Sequence, residues 1–167
     1  MKNVILIGMT GSGKTTIGTY LSETLGYGYV DSDSVLVARA GKRLNEIIAE
    51  QGTEAFLDLE AKVNSEICAS RCVIATGGSV IYRSAAMSAL KKLGVVVYLK
   101  LSYEEIEKRL GDLKARGVAM KEGFTLRDLY NERVPLYEKY ADITVELNGM
   151  SVEQCVETVA KAVENYV

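Results

Sequence analysis

The chain has 167 residues, of which 48% are hydrophobic and 25% charged, and this is typical of one globular domain with a buried core. Its net charge of −2 argues against a nucleic acid or an anionic membrane surface as the main partner, and no apolar stretch approaches the roughly 20 residues of a membrane span. The chain contains no histidine, which excludes histidine-based acid–base catalysis and histidine-ligated metal sites.

The N-terminal segment predicts a strand, a glycine-rich turn and a helix. Val4–Ile7 is a continuous apolar run, typical of a strand that is buried on both faces. Gly8–Thr15 follows directly and matches G-x-x-x-x-G-K-[S/T], the phosphate-binding P-loop motif, at every fixed position. Between Thr16 and Leu25 apolar residues recur at helical spacing, which completes the context that the motif requires. We therefore predict a site for a nucleoside triphosphate.

The P-loop also predicts individual roles. Its glycines let backbone N–H groups point at a phosphate, beside the positive end of the helix dipole. Lys14 is expected to reach the β- and γ-phosphates of ATP, and the Thr15 hydroxyl is expected to bind Mg²⁺. The nucleotide-binding residues predicted from the motif are Gly11, Ser12, Gly13, Lys14, Thr15 and Thr16.

A pair of carboxylates follows the second predicted strand, which begins at Tyr29. Ligands of open parallel sheets bind beyond the carboxyl ends of the strands, so Asp31 and Asp33 should lie beside the P-loop. In the functional interpretation, Asp31 holds Mg²⁺ through water and Asp33 meets the hydroxyl of an acceptor. In the alternative interpretation, an Asp or Ser of this segment only caps the next helix.

The rest of the chain alternates between helical and strand patterns. In order, it predicts helices over 35–40, from 43 and from 53, a strand over 72–75, a helix over 84–93, a strand over 94–99, a helix over 103–110, a helix over 124–140, a strand over 143–147 and a helix after Ser151. Thr53 and Ser102 are expected to cap their helices, and Pro135 is expected to break or kink the helix near Val134. The apolar face of the last helix is predicted to comprise Val152, Val156, Val159 and Val163.

Two loops carry further predictions. Gly77-Gly78 follows a buried strand, where a double glycine either lets a ligand approach the backbone closely or forms a plain turn. The segment 111–123 is polar, basic and punctuated by glycine, so we expect a mobile lid there. Five strands alternating with helices predict a single three-layer α/β domain over 1–167, with a parallel sheet.

From Val4 to Ala141 the chain resembles the shikimate kinases, within the nucleoside-monophosphate-kinase-like group of P-loop proteins. The matching pieces are Gly8–Thr16, Asp31-Ser32-Asp33, Gly52 with Phe56 and Glu60, Gly77-Gly78, and Arg133-Val134-Pro135-Leu136-Tyr137 followed by Ala141-Asp142. The Arg-x-Pro-Leu-Tyr run is far more specific than the P-loop, which many unrelated proteins share.

The resemblance implies a five-stranded parallel sheet, ATP with Mg²⁺, and a lid that closes over the nucleotide. It implies that Arg116 is the lid arginine that faces the phosphates, so that Lys14, Asp33 and Arg116 are the predicted catalytic residues. It also implies that Asp33, Gly78 and Arg133 contact shikimate, and Ser79 is predicted to do so from its position beside Gly78.

Three segments depart from the pattern of the family. Its Phe-Arg pair, whose arginine grips the carboxylate of the acceptor, is Phe56-Leu57 here, its triple glycine is Gly77-Gly78-Ser79, and its Arg-Pro-Leu-Leu lid segment is Arg116-Gly117-Val118-Ala119. Losing one of two arginines on a carboxylate costs about 2–3 kcal/mol, or roughly 30- to 100-fold in affinity. Cations in segments that could reach the pocket and compensate are Arg39, Lys42, Arg43 and Arg83.

Three functions are compatible with this sequence. The first is ATP-dependent phosphorylation of shikimate to shikimate 3-phosphate, in aromatic amino acid biosynthesis. The second is a kinase of the same build that acts on another small hydroxy acid or polyol, because Leu57 replaces the arginine. The third is a nucleotide-binding regulator without turnover, which has no use for Asp33. We expect a monomer without a nucleic-acid or membrane partner. Three cysteines without a C-x-x-C pair, and a strand in place of a signal peptide, indicate the cytoplasm.

Overall fold

A computed structural model describes residues 2–110 and 117–167 of the chain. The strands are β1 (Asn3–Ile7), β2 (Gly28–Asp31), β3 (Cys72–Ala75), β4 (Gly94–Lys100) and β5 (Ile143–Glu146). The helices are α1 (Lys14–Leu25), α2 (Ser32–Ala40), α3 (Leu44–Gln51), α4 (Thr53–Ser65), α5 (Ser84–Leu93), α6 (Tyr103–Arg109), α7 (Leu126–Tyr140) and α8 (Val152–Val163), and a 3₁₀ turn spans Val80–Tyr82. No helix of the described part is long and apolar enough to cross a membrane.

The sheet has five strands in the order β2-β3-β1-β4-β5, and every neighbouring pair is parallel. β1 lies in the centre, where Ile5 is in register with Ile74 of β3 and Val96 of β4. Every residue of β1 is buried, which explains the continuous apolar run in its sequence. The predicted parallel α/β architecture is confirmed, and the carboxyl ends of the strands meet at one edge, where the P-loop begins.

Apolar side chains form two clusters. The larger one covers the sheet and includes the buried face of α8. The smaller apolar cluster lies among α2, α3 and α4 and comprises Leu36, Ile47, Phe56, Leu57, Val63 and Ala119. Ala119 belongs to the predicted lid, so the C-terminal part of that segment packs against the domain.

The predicted helix boundaries are wrong in several places. α2 begins at Ser32, because the Asp31 carboxylate accepts hydrogen bonds from the N–H groups of Asp33 and Ser34 and thereby caps the helix. Asp33 therefore lies in the first turn of a helix. Gly52, not Thr53, is the N-cap of α4. On α8, Val152 is 45% exposed, because the buried face begins only with Cys155 and Val156.

Pro135 does not end its helix, since α7 continues through it to Tyr140. The residues on both sides of the proline are anchored in the protein interior. Arg133 donates a hydrogen bond from Nη2 to the carbonyl oxygen of Ala119, and the Tyr137 hydroxyl donates one to the carbonyl oxygen of Gly78. These tertiary contacts oppose the local disruption that a proline causes inside a helix.

Candidate active site

The P-loop connects β1 to α1 at the centre of the edge where the strands end. Gly11 and Gly13 have φ angles of 83° and 94°, a left-handed conformation that residues with a side chain rarely adopt. Gly13 is the N-cap of α1 and offers no side chain that could occupy the N–H groups of the first turn. Those N–H groups and the helix dipole are therefore available to an anion, as the motif predicts.

Lys14 is buried beneath the loop, with 8% of its surface exposed. Its ammonium group donates hydrogen bonds to the carbonyl oxygens of Gly8 (2.6 Å) and Met9 (2.8 Å). Burial lowers the pKa of Lys14 to about 8, although the nearby Asp33 carboxylate opposes the shift. The triphosphate of a nucleotide would add negative charge here and would favour the charged form.

Two adjoining cavities open at this edge of the sheet. The outer cavity has a volume of about 380 Å³, and residues of the P-loop, Asp31, Asp33 and Arg109 line it. The inner cavity has a volume of about 50 Å³ and lies between Phe56, Glu60, Ser79 and Arg133. Both cavities share Thr10, Asp33, Gly77 and Gly78, so Asp33 lies where the two meet.

Thr15 and Asp31 are the predicted metal ligands, and the structure brings them together. The Thr15 hydroxyl lies 3.5 Å from Oδ2 of Asp31, whereas Oδ1 of Asp31 caps α2. Asp31 thus has the capping role of the alternative interpretation and still presents one oxygen to Thr15. No group of three or more Cys, Asp or Glu side chains among the described residues could hold a metal by itself. An oxygen pair of this kind suits Mg²⁺, which usually keeps water and phosphate oxygens as its other ligands.

Asp33 is partly buried between the two cavities. Burial raises the pKa of its carboxyl to about 6, the Asp31 carboxylate adds to the rise, and Lys14 opposes it. At neutral pH Asp33 is therefore mostly ionised and can accept a proton. A carboxylate with this pKa is well suited to act as a general base.

Gly77 and Gly78 separate the two cavities and leave no room for side chains. A Cβ atom on Gly77 would lie 2.6 Å from Oδ1 of Asp33 and 2.8 Å from Oε2 of Glu60. A Cβ atom on Gly78 would lie 2.7 Å from Nη1 of Arg133 and 2.9 Å from Oγ1 of Thr10. The double glycine therefore lets four polar groups of the protein approach the backbone where the two cavities meet.

Arg133 is fully buried in α7 and points into the inner cavity. Its Nε donates a hydrogen bond to the Tyr82 hydroxyl (3.2 Å), and its Nη2 donates one to the carbonyl oxygen of Ala119 (2.6 Å). Its Nη1 has no hydrogen-bond partner among the described residues. A buried guanidinium with one unused donor next to Gly78 is suited to bind an anionic oxygen of a ligand.

Ser79 and Leu57 occupy the positions of two departures noted in the sequence. The Ser79 hydroxyl lies 2.8 Å and 2.9 Å from the two carboxyl oxygens of Glu60, so it binds this buried carboxyl group. Leu57 is 5% exposed and packs in the smaller apolar cluster. It is not one of the described residues that line the inner cavity.

The four cations proposed to compensate for Leu57 lie elsewhere. Arg39 pairs with Glu66, Lys42 pairs with Glu50, and Arg83 pairs with Glu54 and Asp58. Arg43 is exposed at the start of α3. Among the described residues, the cations that line the two cavities are Lys14, Arg109 and Arg133.

Most of the predicted site residues converge. The outer cavity brings together Gly11, Gly13, Lys14, Thr15, Thr16, Asp31, Asp33 and Gly78, and the inner cavity adds Ser79 and Arg133. Ser12 is buried and is not among the described residues that line either cavity, and its Oγ lies 3.0 Å from the position of a Cβ on Gly8. Arg116 and the rest of 111–116 lie outside the described residues.

Sequence reasoning gave no site role to Arg109 or Glu60. Arg109 ends α6, and its Nη1 lies 3.5 Å from the carbonyl oxygen of Ser12, in contact with the outer cavity. The sequence signal at Arg109, a cation in the last turn of a helix, only indicates a favourable dipole interaction. Glu60 is a charged residue on an amphipathic helix, and the signals that could have indicated its burial are its helical spacing to Phe56 and Val63 and its place in the family match.

Comparisons with known proteins give a consistent result. The shikimate kinase family model matches residues 10–164 of the chain. A shikimate kinase of Thermodesulfovibrio yellowstonii is 36% identical over 167 residues, which cover 98% of this chain and 96% of that protein. A shikimate kinase of Trichormus variabilis is 37% identical over 150 residues, which cover 88% of this chain and 82% of that protein. The solved structure of a shikimate kinase from Acinetobacter baumannii in complex with shikimate is 32% identical. It superposes with a TM-score of 0.89 and covers 99% of this chain and 94% of that one.

Proposed function

The chain belongs to the shikimate kinase family, and from this premise we propose that it transfers the γ-phosphoryl group of ATP to a hydroxyl of shikimate. The product is shikimate 3-phosphate, an intermediate of aromatic amino acid biosynthesis. The observation that carries the proposal is the position of Asp33 between a cavity lined by the P-loop and a cavity lined by Arg133. A phosphoryl donor and an anionic acceptor could therefore meet at one carboxylate.

The proposed reaction is an in-line transfer in which the oxygen of the acceptor hydroxyl attacks the γ-phosphorus. The bond between the γ-phosphorus and the bridging oxygen of ADP breaks, and the hydroxyl proton passes to Asp33. Lys14 and the N–H groups of the first turn of α1 stabilise the charge on the transferring group. Arg133 binds the carboxylate of shikimate, and Gly78 lets the acceptor approach the backbone.

Mg²⁺ fits the oxygen pair of Thr15 and Asp31, which we propose as its binding site. When bound, Mg²⁺ neutralises charge on the phosphates. Asp31 acts from the cap of α2, so it also fixes the position of Asp33 two residues later.

We also propose that the segment 111–123 is a lid over the nucleotide and that Arg116 within it faces the phosphates. Gly117, Val118 and Ala119 line the inner cavity, whose volume of about 50 Å³ is too small for a substrate with a six-membered ring. We therefore expect this wall to move when the acceptor binds. Closure after binding would exclude water, which would otherwise compete for the phosphoryl group.

One observation favours a second candidate, a kinase that acts on another small hydroxy acid or polyol. Leu57 presents an apolar side chain where the family has an arginine, and the cations suggested as replacements pair at the surface or lie exposed on α3. The anion-binding capacity of the inner cavity then depends on Arg133. An acceptor without a carboxylate would lose less binding free energy from the missing arginine than shikimate does.

The test of the proposed function is ATP turnover with a panel of acceptors that comprises shikimate, other hydroxy acids, sugar acids, polyols and nucleosides. We expect shikimate to give the highest kcat/KM, with a kcat on the order of 1–100 s⁻¹, the usual range of kinases. ADP release measured in a coupled assay decides the result. A higher kcat/KM for another acceptor would support the second candidate, and no acceptor-dependent turnover would indicate a regulator.

A substitution at position 57 tests whether the absence of an arginine there limits the affinity for the acceptor. Leu57→Arg is expected to lower the KM for shikimate by up to about tenfold, because one additional charge-assisted hydrogen bond contributes roughly 1.5–3 kcal/mol. Burial of the cation and its effect on the ionisation of nearby Glu60 offset part of this gain. Leu57→Met, which keeps the side chain apolar and similar in volume, should leave KM unchanged. Steady-state kinetics at saturating ATP measure both values. An unchanged or higher KM for Leu57→Arg would mean that the absence of an arginine at position 57 does not limit the affinity for shikimate.

The monomeric state and the location in the cytoplasm stay predictions from the sequence. They are part of the proposal that the protein is a metabolic kinase acting on a diffusible substrate.

A further inference from the structure

Glu60 is a buried acid for which the reaction described above has no role. It lies on α4, is 2% exposed, and lines the inner cavity. Its carboxyl oxygens contact the neutral Ser79 hydroxyl, and no cation forms an ion pair with it in the described ranges 2–110 and 117–167. An ionised carboxylate in such a place is costly, whereas a protonated one is not.

A second carboxyl group lies next to Glu60. Oδ1 of Asp33 and Oε2 of Glu60 approach the same point, the position of a Cβ on Gly77, at 2.6 Å and 2.8 Å. A charge on one of these two carboxyls disfavours ionisation of the other, so one of them is expected to retain its proton. Asp33 faces the ammonium group of Lys14, but Glu60 contacts only a hydroxyl, and the proton therefore belongs to Glu60.

The charged and titratable groups around Glu60 come from several elements. Burial has the largest effect and raises the pKa of Glu60 to about 8, and the Asp33 carboxylate on α2 also favours the protonated form of Glu60. The Ser79 hydrogen bond and the charges of Arg133 and Arg83 oppose the rise. Lys14 and Tyr137 also face Glu60 from α1 and α7.

Arg133 contributes an unused donor to the same cavity. Its Nη1 has no hydrogen-bond partner among the described residues and lies 2.7 Å from the position of a Cβ on Gly78. Oε2 of Glu60 likewise lies 2.8 Å from the position of a Cβ on the preceding glycine, Gly77. Two buried groups, the Arg133 guanidinium and the Glu60 carboxyl, therefore lie against the backbone of neighbouring glycines in the wall of the inner cavity.

We propose that Glu60, oriented by Ser79 and protonated, is the second hydrogen-bond donor for the carboxylate of the acceptor, beside Arg133. This inference rests on the proposed function, in which the acceptor is a small hydroxy acid. A carboxylic acid that stays neutral at pH 7 can donate to an anionic oxygen, which an ionised one cannot. Ser79 acts as a positioning residue, since its hydroxyl holds the carboxyl group in the wall of the inner cavity.

The protonated state of Glu60 is also compatible with an apolar residue, and not an arginine, at position 57. A cation one helical turn before Glu60 would favour the ionised form of the carboxyl, whereas a leucine there keeps the surroundings apolar. The apolar residue at position 57 and the hydroxyl at position 79 thus support the same state of Glu60. Both departures belong to one arrangement of the acceptor site.

The inference predicts that acceptor binding depends on pH. Above a pH of about 8 Glu60 loses its proton, no longer donates, and repels the carboxylate of the acceptor. Affinity should then fall about tenfold per pH unit. Lys14 titrates in the same range in the free protein, but a bound triphosphate keeps it charged, so the measurement is made on the nucleotide complex.

Calorimetry of shikimate binding, with a saturating non-hydrolysable MgATP analogue, tests this dependence. Between about pH 7 and about pH 9.5 the dissociation constant of the wild type should rise roughly 30-fold. Glu60→Gln, whose amide donates at every pH, should bind less than about tenfold more weakly near pH 7 and should lose the dependence. The control Glu54→Gln makes the same change on an exposed residue of α4 and should behave as the wild type. An equally steep dependence in Glu60→Gln, or none in the wild type, would overturn the proposal.

A second measurement does not require an acceptor. A carboxyl whose pKa is raised from its ordinary value to about 8 gives the native state about one more bound proton than the unfolded state between those values. Relative to Glu60→Gln, the wild type should therefore lose stability to urea as pH rises from about 5 to about 7.5, and the difference should level off above pH 8. A constant difference overturns the protonated state of Glu60. Absence of shikimate binding at every pH overturns both the proposed acceptor and the donor role.

Discussion

Lys14→Ala is expected to lower kcat by about 10²- to 10³-fold and to weaken the binding of MgATP at least about tenfold. The ammonium group of Lys14 is buried beneath the P-loop and lines the outer cavity. In the proposed reaction it faces the γ-phosphoryl group, whose oxygens carry the negative charge during transfer. Removing one preorganised donor from such a position typically costs this much in rate. Steady-state kinetics and calorimetry with MgATP measure the two effects.

The result has to be separated from damage to the loop. Lys14 donates to the carbonyl oxygens of Gly8 and Met9, so alanine also removes two hydrogen bonds from the P-loop. A nucleotide that binds the native state raises the melting temperature, and a folded variant should lose that increase while it still unfolds cooperatively. Lys92→Ala, on the exposed side of α5, is the matched control and should keep both the affinity for MgATP and the kcat of the wild type. Unchanged affinity and turnover in a folded Lys14→Ala would contradict the nucleotide site.

Asp33→Asn is expected to lower kcat by about 10²-fold or more, while the melting temperature changes little. The amide keeps the size of the side chain but cannot take the proton of the acceptor hydroxyl, and loss of a general base typically has this effect. Helix α2 should persist because Asp31, and not Asp33, caps it. The measurement is single-turnover phosphoryl transfer with both substrates saturating.

The pH dependence of the reaction provides an independent check on Asp33. Its pKa is raised to about 6, and the base is active when ionised, so kcat of the wild type should rise with pH through about 6 and then level off. The residual activity of Asp33→Asn should lack this rise. Asp58→Asn, an exposed carboxylate that pairs with Arg83, should retain it. If Asp33→Asn still shows the rise of kcat through a pH of about 6, another group causes that rise and Asp33 is not the base.

The fold and the nucleotide half of the site could be predicted because their signals are local. β1 is buried on both faces, so its sequence is an apolar run, and the P-loop needs glycine at positions where φ is positive. The parallel order of the strands then places Asp31 beside Thr15 without further information. Short sequence spacing and backbone conformation determine all of these features.

The acceptor half could not be predicted in the same way, because distant segments assemble it. Arg133 points into the inner cavity since Tyr82 and Ala119 accept its hydrogen bonds, and neither partner is near it in sequence. Ser79 was predicted to contact substrate, but its hydroxyl binds Glu60, a contact between a loop and a helix. Pro135 was predicted from its local effect alone to break or kink α7, and the helix does not break, because tertiary contacts oppose that effect.

The central position of β1 affects how the protein can assemble during its synthesis. β1 leaves the ribosome before its two neighbours in the sheet, β3 and β4, which end at Ala75 and Lys100. Until both have emerged, the most apolar strand has no sheet to join, and closing such long loops is slow. A nascent chain that carries the complete P-loop therefore still lacks the two strands that enclose β1. The P-loop is translated before the strands that surround it and can become functional only after they have joined the sheet.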